Sequence, residues 1–216
     1  MKTRLLMLLS VFMAITSVGW MQAQSITYYK TGSGSGGTGT EQDPIVKISL
    51  DEILGDANAK TESDSIVVSL SNGDYTAASG TFPITKSGIS IIGTDSNKVV
   101  IKSPFDITLS EKGNISFSSL QIAATTATGR GLVDIKSSNT TVSFLDVKLN
   151  IEGAGTADGG STTCFGIVSQ LEVDNNTVNF VASHMYMAKG FQRGLCFRDG
   201  AGHTLNMENS KIDGPA

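Results

Sequence analysis

Ile115-Ser116-Phe117, Val142-Ser143-Phe144, Val178-Asn179-Phe180 and Leu205-Asn206-Met207 repeat one apolar, polar, apolar pattern at intervals of 27, 36 and 27 residues. Such alternation belongs to a half-buried strand. Its return at a solenoid period is the signature of a parallel β-helix, in which no coil buries its apolar face without the next. Equivalent positions then stack, so that Phe117, Phe144, Phe180 and Met207 form one inward column while Ser116, Ser143, Asn179 and Asn206 point outward. A side chain of this size contributes about 1.5–3 kcal/mol when fully buried, more than an exposed ion pair. The expected fold is all-β, a solenoid of about five coils.

Toward the N-terminus, Ser65–Leu70 reads as a strand ended by the turn Ser71-Asn72-Gly73-Asp74. Ile48, Leu50, Ile53 and Leu54 fall mostly on one helical face, with Asp51 and Glu52 in the favourable first turn. This predicts a short amphipathic helix over Ile48–Ala57, placed to cover the strand edges at the open end of the solenoid. Thr31–Thr40 is almost entirely Gly, Ser and Thr, so residues 25–44 are expected to be a flexible lead-in and 45–216 the folded domain. No Lys-Ser/Thr follows that run and no strand is expected before it, which argues against a phosphate loop.

Lys2 and Arg4 precede an apolar run from Leu5 to Val18 and then Met21-Gln22-Ala23, the three parts of a secretory signal peptide over residues 1–24. The run is short for a membrane span, and no second apolar segment follows. Cleavage would leave an exported chain with no membrane span. With 16 Lys and Arg against 20 Asp and Glu, a net charge of −4 and no basic cluster, the electrostatic footprint of a nucleic-acid binder is missing. Two cysteines permit one disulfide but no framework. Cys164 and Cys196 fall near the first strands of adjacent coils, either bridged or as free buried thiols.

The run Gly37-Thr38-Gly39-Thr40-Glu41-Gln42-Asp43-Pro44, the short helix, Val67-Val68-Ser69-Leu70, Gly73-Asp74-Tyr75-Thr76 and Ile89-Ser90-Ile91-Ile92-Gly93 together resemble the opening of pectin-lyase-like right-handed parallel β-helix proteins. The resemblance covers roughly Gly37 to the C-terminus and is nearest to secreted bacterial β-helix domains of unassigned function. It implies three strands per coil, a groove beside the first strands, and a periplasmic, cell-surface or extracellular location in a bacterium. First strands are then expected near Phe82–Thr85, Phe105–Leu109, Leu132–Lys136, Leu171–Asp174 and Leu195–Arg198. Third strands are expected near Val99–Lys102, Leu120–Ile122, Val147–Ile151, His184–Met187 and Ser210–Ile212. The bend after each second strand holds Ser119, Asp146, Ala182 and Asn209, where coils of the family often stack asparagines.

On the outward side of the first strands, Asp106, Asp134 and Glu172 are expected in one column, with Lys136, Arg198 and Asp174 in the next and Arg130 and Arg193 at the ends of the preceding loops. Stacked carboxylates about 4.8 Å apart supply oxygen ligands suited to Ca²⁺. A neighbouring Lys or Arg can take a proton beside a metal-neutralised uronate. Asp106, Asp134, Glu172, Lys136 and Arg198 are therefore the candidate catalytic residues, the first three also as Ca²⁺ ligands; a mixed-charge solvated face is the alternative. Asp134 and Glu172 as a glycoside hydrolase pair is a weaker enzymatic option. His184 and His203 lie far apart in the coil and read as surface residues, which argues against a His-based site. Met185, Met187 and Met207 read as core filling. Asn114-Ile115-Ser116, Asn139-Thr140-Thr141 and Asn175-Asn176-Thr177 match glycosylation sequons, but their shared turn position is better explained by backbone geometry.

Two function classes follow. One is a secreted domain that binds or processes an acidic polysaccharide, as in a lyase-like protein; the other is a non-catalytic surface, adhesion or structural solenoid. Loss of Trp20 with the signal leaves few aromatics for stacking on sugar rings. The chain stops midway through a coil with no capping element, which predicts a fragment of a longer solenoid or end-to-end self-association through an open edge.

Overall fold

A computed structural model describes residues 25–60, 64–125, 130–151, 165–170, 172–187 and 193–214. The expected signal peptide, the 152–163 insertion and Cys164 lie outside the described residues. The described residues are mostly β, with one helix and three sheets among them in which all strand pairs are parallel, consistent with a parallel β-helix.

The helix is α1 (Leu50–Asn58). Ser49 caps it by accepting the Glu52 N–H at 3.2 Å, and Leu50, Ile53, Leu54 and Ala57 form its buried face. Ile48 was expected on that face; it precedes the cap and is exposed.

Among the described residues the three sheets hold nineteen strands. The eight-stranded sheet holds β1 (Ile26–Thr31), β2 (Ile45–Lys47), β3 (Ser65–Leu70), β6 (Ile89–Gly93), β9 (Gly113–Ser118), β12 (Thr140–Leu145), β15 (Thr177–Val181) and β18 (Thr204–Glu208). The six-stranded sheet holds β4 (Gly73–Tyr75), β7 (Val99–Ile101), β10 (Gln121–Ala124), β13 (Lys148–Ile151), β16 (His184–Met187) and β19 (Lys211–Asp213). The five-stranded sheet holds β5 (Phe82–Ile84), β8 (Phe105–Ile107), β11 (Gly131–Ile135), β14 (Phe165–Ser169) and β17 (Arg193–Phe197). From β5 onward the chain visits the five-, eight- and six-stranded sheets in that order, five times.

The repeated motif sets the register. Ile115, Val142, Val178 and Leu205 pair in sequence across the eight-stranded sheet, and so do Phe117, Phe144, Phe180 and Met207. Ring centroids are 5.4 Å apart for Phe117 and Phe144 and 5.1 Å for Phe144 and Phe180, with the planes nearly parallel. Phe105 and Phe82, from the five-stranded sheet, extend the ring contacts at 4.8 and 5.4 Å, while Ile91 holds the next place in the column itself. On the outer side, Ser116 bonds Ser90, Asn179 bonds Ser143, and Asn206 bonds Asn179, a polar ladder matching the apolar one inside. In β18, the outermost strand of this sheet, Leu205 and Met207 are 40% and 43% exposed.

Turn chemistry links the strands of successive sheets. Ser119, Asp146, Ala182 and Asn209 all have φ between 48° and 54°, so the bend after each second strand is one left-handed residue repeated in four coils. A side-chain-bearing residue without a local hydrogen-bonding group is the least suited to that conformation. Ala182→Asn is therefore expected to stabilise the fold by up to about 1 kcal/mol, a rise of about 2–4 °C in a thermal melt for a domain of this size. An unchanged or lower melting temperature would show that the bend tolerates alanine without strain. In the turn before the second strands, Asn139 and Asn175 take φ 57° and 56° and Gly202 follows at 71°. A Cβ on Gly202 would lie 2.1 Å from the Asn175 side-chain oxygen. Backbone geometry thus accounts for two of the three sequons; Asn114 sits instead inside β9, paired with Thr141.

The lead-in is a correction. Within the stretch expected to be flexible, β1 pairs with β3 on one side and β2 on the other, and Tyr29 is 1% exposed. Among the described residues the first strand starts at Ile26. Helix α1 packs on β5, the edge of the five-stranded sheet. There Asn58 donates to the Pro83 carbonyl at 3.0 Å and accepts from the Thr85 N–H at 3.0 Å, occupying the groups a further strand would pair. With Pro83 removing one donor from the same edge, this end is protected against strand addition.

Candidate functional site

Register in the five-stranded sheet places Asp106 beside Asp134, in a row that reads Pro83, Asp106, Asp134, Val168 and Cys196. The expected Asp106–Asp134 pairing is present, but Glu172 is not in the row. It lies in the turn after β14 with φ 62°, because the first strand of the fourth coil is Phe165–Ser169 rather than Leu171–Asp174. Asp174 falls in the same turn, where its Oδ1 accepts the Ala201 N–H at 2.7 Å. In the next row Gln170 takes the place expected of Asp174, between Lys136 and Arg198: the Gln170 N–H bonds the Ile135 carbonyl and the Arg198 N–H bonds the Ser169 carbonyl.

The side chains form one connected network. Arg130, immediately before β11, straddles both acids: Nη2 bonds the two Asp106 oxygens, and Nε, buried without a hydrogen-bond partner, lies 3.7 Å from Asp134 Oδ2. Lys136 Nζ is 3.2 Å from Asp106 Oδ2. Gln170 donates to Asp134 Oδ1 at 2.6 Å and accepts from Arg198 Nη1 at 3.2 Å. Arg193 is exposed at the start of β17.

Burial separates the two acids. The Asp134 side chain is 4% exposed against 19% for Asp106. Desolvation raises the pKa of Asp134 above its ordinary 3.8, opposed by the Gln170 hydrogen bond and the charge of Lys136. An acid with a raised folded-state pKa binds its proton more tightly in the fold. It therefore favours folding below the ordinary aspartate range, and that contribution is lost as pH rises through the raised value. Asp134→Asn keeps an oxygen for Gln170 and removes the desolvated charge, so its melting temperature is expected to exceed that of the native chain at neutral pH and to converge with it in acid. A variant less stable at neutral pH would mean that attraction to Arg130 and Lys136 outweighs desolvation.

Among the described residues no group of three or more His, Cys, Asp and Glu side chains is arranged to hold a metal ion. Asp106 and Asp134 are the oxygen donors that remain adjacent for Ca²⁺, and both are engaged with Arg130. His184 and His203 stay apart, and His203 is half-buried rather than fully exposed. Its ring stacks on Phe197 with centroids 4.5 Å apart, and its Nδ1 accepts the Asn176 N–H at 3.3 Å. Cys196 is a half-buried free thiol paired in register with Val168.

Arg130 and Gln170 are the joints of the network, and the sequence reading gave Gln170 no role. Strand spacing carried the missing signal. The last residues of the first strands, Ile107, Ile135, Ser169 and Phe197, precede Ile115, Val142, Val178 and Leu205 by 8, 7, 9 and 8 residues. A strand ending at Asp174 breaks that spacing. No protein-family profile, curated protein or solved structure matches this chain. No helix among the described residues is long and apolar enough to cross a membrane.

Proposed function

We propose that the chain is a secreted right-handed parallel β-helix of the pectin-lyase-like kind that binds an acidic polysaccharide along its first-strand face without cleaving it. Right-handedness is supported by the rule that parallel strands of one sheet are joined by right-handed crossovers in nearly all proteins. The observation that carries the binding reading is the charge balance of this face. Arg130 and Lys136 engage Asp106 and Asp134, while Arg198 bonds the neutral Gln170 and Arg193 is exposed at the start of β17. A chain of net charge −4 thus carries a local cationic surplus. The cations of β11 and β17 lie two strand spacings apart, about 10 Å, and can meet separate carboxylates along a polyuronate.

The test is salt-dependent binding to polygalacturonate and alginate, with neutral dextran as control. The native chain is expected to bind the acidic polymers at low salt and release them as screening increases. The Arg193→Ala/Arg198→Ala double variant is expected to bind about tenfold more weakly. Calcium-dependent release of unsaturated uronides would instead support a lyase in which Asp106 and Asp134 hold the metal. Failure to bind any acidic polymer would sink the polysaccharide reading and favour a non-catalytic adhesion or structural module.

A further inference from the structure

We propose that the outer face of the six-stranded sheet around Tyr186 binds an uncharged pyranose ring within a glycan chain. Tyr186 is 44% exposed, and among the described residues it is the one aromatic in the exposed class. Strand register places it between Asn150 of β13 and Asp213 of β19, about 4.8 Å away on either side. Two residues back on the same face, His184 stands between Lys148 and Lys211. The ring is thus flanked by an amide, a carboxylate and two ammonium groups on a flat, regular backbone.

The polar groups are held in place. Asp213 Oδ2 lies 2.6 Å from Lys211 Nζ and 2.9 Å from His184 Nε2. The Lys211 hydrogen bond, then that of His184, holds the Asp213 carboxyl below its ordinary range, so it is an ionised acceptor at neutral pH. Lys148 Nζ bonds the Asn97 side-chain oxygen. Each lysine here has a local partner, so the face offers hydrogen bonding more than surplus charge.

A pyranose ring is complementary to this arrangement. Its C–H face packs on an aromatic ring, leaving hydroxyls at the rim for a carboxylate that accepts and an amide and ammonium that donate. An open sheet face accepts a ring that continues into a chain at both ends, whereas a closed pocket takes a terminal unit. This surface differs from the cationic one in sheet, in ligand charge and in its response to salt, so the two readings fail independently.

The test uses the full secreted chain and neutral hexasaccharides of β-1,4-linked glucan, mannan and xylan, followed by the ring resonances of Tyr186 and by calorimetry. At least one hexasaccharide is expected to bind with an affinity unchanged by high salt. Tyr186→Ala is expected to weaken it at least about tenfold, and Tyr186→Phe to stay within about twofold, since the ring is kept. The Arg193→Ala/Arg198→Ala variant should bind the neutral ligand as the native chain does. Binding of none of the three, or equal binding by Tyr186→Ala and the native chain, would overturn the proposal.

Discussion

Phe144→Asp is expected to yield no soluble folded protein, and Phe144→Ala to lose about 3–5 kcal/mol of stability. Phe144 is 1% exposed and stacked between Phe117 and Phe180, whose centroids lie at 5.4 and 5.1 Å. A carboxylate there would be buried without a cationic partner, which costs far more than the lost contacts. Coils of a solenoid are coupled through their neighbours, so a gap in the middle of the column uncouples the coils on either side of it. Expression with circular dichroism and urea unfolding of the two variants is the check. A folded, monomeric Phe144→Asp with a native-like spectrum would show that the inward column is not the core.

Asn176→Leu is expected to produce the second-largest loss. Asn176 is fully buried; its Oδ1 accepts the Thr140 N–H at 2.8 Å and its Nδ2 donates to Ser169 Oγ at 2.9 Å. Its backbone N–H reaches His203 and its carbonyl accepts the Thr204 N–H, so this one residue joins three consecutive coils at the same corner. Leucine preserves volume but leaves the buried Thr140 N–H unpaired, at about 1–3 kcal/mol for that group alone. Thermal melting should show the loss, and amide exchange should show Thr140 losing protection ahead of the centre of β12. A melting temperature within error of the native chain would mean that water or backbone rearrangement replaces both bonds.

Where alternation was strong, strand and register were both legible. The four second-strand motifs place a large apolar residue at every inward position and a small polar one between, and a slip by one residue would bury Ser116, Ser143, Asn179 and Asn206. Helix α1 was legible through its apolar spacing and acidic first turn, apart from Ile48. The fourth first strand was not. Phe165-Gly166-Ile167-Val168-Ser169 is buried at every position, so it carries no period from which to read a face. That error moved Glu172 and Asp174 into a site they do not occupy and hid Gln170.

Strand β1 was missed for a different reason. Ile26-Thr27-Tyr28-Tyr29-Lys30-Thr31 is rich in β-branched and aromatic residues that suit a strand, but it runs directly into the Gly/Ser/Thr stretch Thr31–Thr40, and only its pairing with β3 and the burial of Tyr29 separate the two. The joining of Asp106, Arg130, Asp134, Lys136, Gln170 and Arg198 into one network is equally a tertiary result, since these residues come from four consecutive coils. Periodicity along the chain suffices for whatever depends on one strand's own pattern: the parallel stacking and the inward phenylalanine column. Which polar side chains meet depends on where each coil's first strand starts relative to its neighbours, and that offset is decided by packing between coils far apart in sequence, which no local pattern records.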